Sequence, residues 1–328
     1  MKKILIIRLS SIGDIILTSP VIRCLKEQLS EVEIHYLTKK QFIPILQSNP
    51  HITKIHLFKN NYQELIPKLK AEQFDHIVDL HKNMRSHYIR HKLGKPATSF
   101  SKLNLQKWLI TNLHFDFLPN VHIVDRYLKA VEQFQVTNDG KGLDYFLKDS
   151  EKINIGEKFP GITGKFIAIA IGANHVTKIY PSDKVSALCD LLPLPVILLG
   201  GKEDMERGEE IRKSTKHHVV NACGILPLNG SASVIEQSEQ LISNDTGLMH
   251  IAAALKKPVI SLWGNTIPEF GMYPYFPEEL KHLSTIIEVK GLRCRPCSKL
   301  GYKACPEKHF DCMEKIKPEE ILDNWITG

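Results

Sequence analysis

Nowhere in these 328 residues does an uninterrupted apolar run approach the ~20 positions that a membrane-spanning helix needs. After Met1-Lys2-Lys3 the apolar stretch Ile4-Leu5-Ile6-Ile7 is closed at once by Arg8. A secretory signal has an apolar core of ~7–15 residues and a small-residue cleavage site, so none is read here and a cytosolic protein is expected. The first strand-to-helix turn has one glycine where a G-x-G-x-x-G motif has three, which argues against a nicotinamide-dinucleotide site. The later glycine-containing loop at 172–178 is not a Walker A sequence. Seven cysteines do not make a disulfide-stapled miniprotein of a chain this long. A composition of 43% hydrophobic and 24% charged residues excludes disorder. Short repeats and low-complexity tracts are also missing.

The length exceeds one ordinary core of ~100–200 residues, so two domains are expected. The net charge of +7 is unevenly spread. Residues 1–160 hold 24 Lys and Arg against 16 Asp and Glu, whereas residues 161–328 hold 19 against 20. Either the first half has a scattered soluble basic surface, or it meets something anionic: phosphate, a phospholipid surface or nucleic acid.

The hydrophobic pattern alternates. Strands are read at 3–8, 33–37, 54–58 and 76–80, and helices at 14–28, 41–47, 62–70, 83–92 and 121–134. Residues 96–120 are poorly periodic and stay unassigned. A glycine-rich, charged break covers 137–164. The alternation then restarts, with strands at 166–171, 195–199, 219–220, 240–243 and 259–263. Helices are read between them at 182–192, 203–216, 231–238 and 248–255, and a last one at 318–326. This order predicts an α/β protein of two doubly wound, Rossmann-like domains, 1–160 and 161–328, facing a cleft at the carboxyl ends of their strands.

Five segments carry candidate chemistry. The turn Arg8-Leu9-Ser10-Ser11-Ile12-Gly13-Asp14 offers two hydroxyls, a glycine for close backbone approach and a carboxylate. Asp14 is either a general base or a helix cap. Asp79-Leu80-His81-Lys82-Asn83-Met84-Arg85 follows the fourth strand, and its cations suit phosphate or carboxylate unless it is only a capped, solvated helix start. Gly172 to Lys178 suits a diphosphate, with Lys178 as a point charge. Asn244-Asp245-Thr246-Gly247-Leu248-Met249-His250 leads a strand into a helix of small residues, whose N-terminus is an anion site. His250 one turn inside faces that anion or is a core residue. Cys294, Cys297, Cys305 and Cys312, with His309 among them, read as a zinc site, as free thiols or as a redox pair.

The opening Ser10-Ser11-Ile12-Gly13-Asp14 with Thr18-x-Pro20, and the later Asp245-Thr246-Gly247-Leu248-Met249-His250-x-Ala-Ala, resemble the lipopolysaccharide heptosyltransferases of glycosyltransferase family 9. His122-x-x-Asp125-Arg126-Tyr127, Thr177-Lys178 and the cysteine segment ending in Cys312-Met313 are similar to that family too. The resemblance implies a GT-B fold and inverting transfer of a heptose from ADP-heptose to a lipopolysaccharide core or lipid A-type acceptor. It implies no cofactor and no metal for the chemistry. Carried over, Asp14 is the base. Thr177, Lys178, Asp204, Leu226, Asp245, Thr246, Gly247 and His250 bind the donor, with Asp204 on the ribose and Leu226 against the adenine. Ser10, Ser11, Gly13, His81 and Arg85 bind the acceptor. The family's Lys-Arg-Trp-Pro is replaced by Lys178-Ile179-Tyr180-Pro181. The partners implied are a nucleotide sugar and an anionic glycolipid at the cytosolic membrane face, with no nucleic acid, for a monomer working in the cytoplasm or on the inner face of the membrane. The alternatives are a GT-B transferase with another nucleotide sugar, and a non-catalytic nucleotide-sugar-binding homologue.

Overall fold

A computed structural model describes residues 2–325. It divides into two compact units. The first holds the residues up to Lys102 together with Val121–Phe146, and the second holds Leu103–Asn120 and the residues from Leu147 on.

The first unit is built on five strands: β1 (Lys2–Ile7), β2 (Val32–Thr38), β3 (Lys54–Leu57), β4 (His76–Asp79) and β5 (Ala97–Ser99). They pair in the order β3-β2-β1-β4-β5, parallel at every step. A parallel sheet is covered on both faces and therefore wants continuous rather than alternating apolar runs. Central β1 meets this with Ile4, Leu5, Ile6 and Ile7, all fully buried. Leu5, Leu37, Phe74 and Ile77 share one core cluster with helix residues Leu65 and Ile89.

The single helix expected at 14–28 is two, Ile12–Ile16 and Ser19–Gln28. Thr18 interrupts it by donating its hydroxyl to the Ile15 carbonyl at 2.6 Å. Pro20 brings no N–H to continue the first helix but suits the opening turn of the second. The expected helix at 121–134 likewise tightens midway, from α at Ile123–Leu128 to 3-10 at Lys129–Phe134.

The second unit carries β6 (Ile167–Ala170), β7 (Val196–Leu199), β8 (Val219–Asn221), β9 (Gln240–Asn244), β10 (Val259–Trp263) and β11 (Ser284–Glu288). Their order is β11-β10-β9-β6-β7-β8, again wholly parallel. The sequence pattern missed β11, a sheet-edge strand of mostly half-buried residues in which Ile287 is buried and Ile286 exposed. The stretch 96–120, without readable periodicity, holds β5 and a helix, Asn104–Leu113. That helix packs Ile110 against Ile267 and Phe270. The last helix runs Pro318–Asp323, and the expected end at Ile326 lies outside the described residues. No helix among the described residues is long and apolar enough to cross a membrane.

Candidate functional site

In the first unit the expected residues gather at the carboxyl ends of β1 and β4, where parallel sheets present ligands. Ser11 caps the short helix Ile12–Ile16, and Asp14 reaches back to it. The Asp14 Oδ2 accepts from the Ser11 hydroxyl at 2.8 Å and from the Ser11 N–H at 3.2 Å. Its Oδ1 lies 2.6 Å from Nη2 of Arg8. Asp14 is therefore a helix cap, and also one half of an ion pair, with its side chain still partly open to solvent.

Arg8, to which sequence reasoning gave no role, holds the arrangement together. Its Nε donates to the Ser10 carbonyl at 2.7 Å, and its Nη1 to the Leu80 carbonyl at 2.5 Å and the Tyr127 hydroxyl at 3.0 Å. A buried guanidinium needs this many acceptors in one plane, and no other side chain has the donor fork to use them. Tyr127 comes from the His122–Tyr127 segment, quoted above for resemblance alone. An arginine closing a buried strand was the one available signal. Its partner 119 residues away left none.

Burial acts to raise the Asp14 pKa, but the Arg8 charge beside it and the Ser11 hydrogen bonds outweigh burial and hold it below the usual carboxylate value. Burial, helped by Arg8 and Lys102, pushes His81 down to about 3. His81 Nε2 accepts from the Asn83 amide at 2.8 Å, which leaves the ring proton on Nδ1, a buried atom with no hydrogen-bond partner. Asp79, fully buried, fixes this turn by accepting from the N–H groups of His81 and Lys82. Ser10, Ser11, Gly13, Asp14 and His81 thus lie around one charged pair, while Arg85 points outward from the helix Met84–Leu93.

A pH profile follows. A depressed carboxylate stays ionised until pH falls through its lowered pKa, and a depressed histidine stays neutral above about 3. Neither group changes charge between about pH 5 and 8. If Asp14 serves as a general base, turnover at saturating substrates should stay level down through that window, with loss setting in only as the pH falls below the usual carboxylate range. An acid limb centred near pH 6 to 7 would rule Asp14 out for that role.

The second unit holds groups suited to an anion. The helix Gly247–Ala254 starts after Thr246, whose extended backbone turns the chain sharply and whose side chain makes no capping bond. The first N–H groups of the helix are left for a ligand. Lys178, at the end of the loop after β6, pairs with Asp245, and Asp245 also accepts from the Thr266 hydroxyl at 2.9 Å. An ionised carboxylate cannot donate to a phosphate. Asp245 therefore serves the site by aiming Lys178, while Lys178, Thr246 and Gly247 carry the groups that attract an anion. Thr177 is buried and locked to Tyr302, donating to its carbonyl and accepting from its N–H at 2.8 Å. His250 is also buried, 2% exposed.

Asp204 is buried, accepts from the Gly201 N–H at 2.8 Å and pairs with Arg207. A β-carbon on Gly172 would meet its Oδ2 at 2.1 Å, and one on Gly200 would stand 2.7 Å from the same oxygen. These glycines hold the strand ends open for the carboxylate. Gly172→Ala should cost about 1–3 kcal/mol as overpacking and lower the melting temperature. A melting temperature equal to the parent's would mean that Asp204 has room to withdraw. Leu226 is half-buried in the turn before the helix Leu228–Gln237.

The cysteine loop borders this region. Cys297 N–H donates to the Asn265 carbonyl at 3.2 Å, and Arg295 ties the Gly264 and Thr266 carbonyls to Glu288. Cys294 Sγ lies 3.8 Å from His309 Nε2. Burial, with the other three cysteines nearby, raises the Cys297 thiol to about 12, and burial raises Cys312 to about 11. Among the described residues, the group with three ligand atoms within 4.8 Å of one another is His35, His56 and Glu72 in the first unit. There His35 Nδ1 and His56 Nε2 are 3.0 Å apart, burial and His35 push His56 down to about 4, and Lys54 occupies Glu72.

Residues 62–306 match the family model described as glycosyltransferase family 9 (heptosyltransferase). Lipopolysaccharide heptosyltransferase 1 of Campylobacter coli is 26% identical, over 98% of this chain and 97% of its own. A glycosyl transferase family 9 structure from Veillonella parvula superposes with a TM-score of 0.79 at 20% identity, over 98% of this chain and 96% of that one. An Escherichia coli heptosyltransferase solved with ADP gives a TM-score of 0.71 at 17% identity, over 98% of each chain. At these identities the two structures are likenesses of fold.

Proposed function

Because the chain belongs to glycosyltransferase family 9, the heptosyltransferases, and is thus a nucleotide-sugar-dependent transferase of the GT-B fold, we propose that it transfers heptose, with inversion, from ADP-heptose to a phosphorylated sugar of a lipopolysaccharide core or lipid A-type acceptor. The observation that carries the reading is the Arg8–Asp14 pair at the end of β1. It keeps a partly open carboxylate ionised, and Asp14 takes the proton of the acceptor hydroxyl as that oxygen attacks the anomeric carbon. The bond from that carbon to the diphosphate breaks in the same step, and ADP leaves with the bonding electrons.

Charge then develops on the departing phosphate. Lys178, already aimed by Asp245 and Thr266, and the N–H groups at the start of the helix Gly247–Ala254 meet it without rearranging. The unpartnered His81 Nδ1–H is a donor that an acceptor oxygen satisfies. Adenosine diphosphate as the nucleotide is supported by the ADP in the Escherichia coli relative. In this reading Asp204 faces the ribose and Leu226 the adenine. The basic first half suits a phosphorylated acceptor at the cytosolic membrane face.

A donor screen tests this, measuring nucleotide release with and without a lipid A-type acceptor. Release from ADP-heptose that depends on the acceptor is expected. Acceptor-dependent release from another nucleotide sugar instead would point to a different cell-surface glycan. Nucleotide binding with no release from any donor would identify a non-catalytic homologue.

A further inference from the structure

Two histidines share one face at the β3 edge of the first sheet. Lys54 pairs with His35 and His56 with Leu37, so His35, Leu37, Lys54 and His56 lie on the same side of β2 and β3. His35 Nδ1 and His56 Nε2 face each other at 3.0 Å. A hydrogen bond between two neutral rings accounts for that distance and needs no carboxylate. Yet Glu72, the C-cap of the helix Tyr62–Ala71, turns both its oxygens toward these same two nitrogens. Its Oε2 is 3.9 Å from His35 Nδ1 and its Oε1 4.0 Å from His56 Nε2, too far to hydrogen-bond either ring. On the outer side of His35, Glu33 Oε2 lies 3.6 Å from Nε2. Phe74 stands edge-on to both imidazoles and limits their rotation. The cluster has no part in the proposed transfer, whose Arg8–Asp14 pair follows β1, two strands away.

We propose that His35, His56 and Glu72 bind a divalent first-row transition metal, Zn²⁺ above all, which pins edge strand β3 and the end of the helix Tyr62–Ala71 to β2. Three ligand atoms surround one point, all within 4.8 Å of one another. At ~2.0–2.1 Å from Zn²⁺, neighbouring donor atoms stand roughly 3.0–3.4 Å apart. The two ring nitrogens already do, and Glu72 has to move in by roughly 0.5–1 Å. Imidazole nitrogen with one carboxylate suits such an ion, whereas Mg²⁺ and Ca²⁺ want oxygen throughout. Glu33 stands where a carboxylate commonly orients a metal-bound histidine through its other nitrogen. Burial holds both imidazoles below the usual histidine value, so neither has to shed a proton to become a ligand. One cation competes for the carboxylate: Lys54 Nζ sits 2.5 Å from Glu72 Oε1. Its side chain is 55% exposed against 17% for Glu72, so it can leave into solvent, and an exposed pair of this kind holds weakly. Lys3 meets Glu33 in the same way at 3.4 Å.

The test uses the full chain without a polyhistidine tag, stripped of metal by a chelator, and titrated with Co²⁺ and with Zn²⁺. Cobalt held by the late cysteines shows sulfur-to-metal charge-transfer absorption, and cobalt on nitrogen and oxygen does not. One Co²⁺ per chain without that absorption is expected, together with a melting temperature that rises with Zn²⁺ concentration. Glu33→Gln should weaken the site by about ten-fold, and Glu72→Gln and His56→Gln by more. Lys54→Ala should tighten it by about two- to five-fold, because Glu72 is then free. A gain in affinity is a readout that damage to the fold does not produce. Glu72 and Lys54 reach solvent, so their variants keep the proposal testable should His56→Gln fail to fold, which the metal-free melting temperature reports. Cobalt bound through sulfur alone, or no bound ion, overturns the proposal. So does Glu72→Gln binding at parent strength, Lys54→Ala binding no tighter than the parent, or Mg²⁺ binding as well as Zn²⁺. No sugar transfer is measured, so any of these outcomes leaves the proposed function as it stands.

Discussion

Asp14→Asn should lower sugar transfer by ~10²-fold or more while leaving ADP affinity and the fold as they are. The amide keeps the size of the carboxylate and loses its basicity. Arg8 still has the Ser10 and Leu80 carbonyls and the Tyr127 hydroxyl to hold it. ADP affinity is the control because the groups proposed to bind the diphosphate, Lys178, Thr246 and Gly247, are carried by the other compact unit. Single-turnover transfer at saturating donor and acceptor measures the effect on the chemical step. Transfer at the parent rate would reduce Asp14 to a cap for the helix Ile12–Ile16, a role that its bonds to Ser11 already give it.

Lys178→Ala should weaken ADP by about 10- to 100-fold, the ~1.5–3 kcal/mol of a charged hydrogen bond, and should barely change adenosine. Only ADP brings the charge that Lys178 meets. The substitution also leaves Asp245 unpaired beside the anion site, with Thr266 as its remaining partner, so repulsion adds to the loss. Calorimetric titration with both ligands separates the cases. An equal loss for ADP and adenosine would move Lys178 away from the diphosphate. His250→Ala should also weaken ADP more than adenosine. A lower melting temperature with unchanged ADP affinity would make His250 a packing residue of its helix.

The architecture was legible because a parallel sheet writes its strands as unbroken apolar runs, and Val259–Trp263 was read to the residue. What escaped had a local cause in each case. Helix Asn104–Leu113 is entered and left through left-handed residues, Leu103 and His114, with no capping side chain, and its largest apolar groups face outward. Neither its ends nor its period carried the usual signals. Of the candidate site, the Asp14 carboxylate, the Ser10 and Ser11 hydroxyls and the loop ending in Lys178 could be located because each belongs to one short turn after a strand. The Arg8–Tyr127 bond and the bond of Thr266 to Asp245 could not, because topology alone brings those residues together. Asp204 entered through the resemblance alone and Gly172 as the opening of a phosphate loop, and nothing local in the sequence marked Gly172 and Gly200 as the glycines that make room for the Asp204 carboxylate.

Neither compact unit is a single stretch of chain. The first is interrupted at Lys102 and resumes at Val121, and the excursion between them is counted with the second. No one cut can therefore yield two independent halves. A fragment ending at Phe146 would carry Ile110 and Leu118 without Ile267 and Phe270, their partners in one apolar cluster. The complementary fragment would lack the other side of the same cluster. A working dissection has to excise Leu103–Asn120 and rejoin Lys102 to Val121 with a short linker. The same break makes gene fusion between relatives awkward. A chimera that swaps the halves at one crossover inherits an excursion from one parent and its seat from the other, so residues 110, 118, 267 and 270 have to be exchanged together.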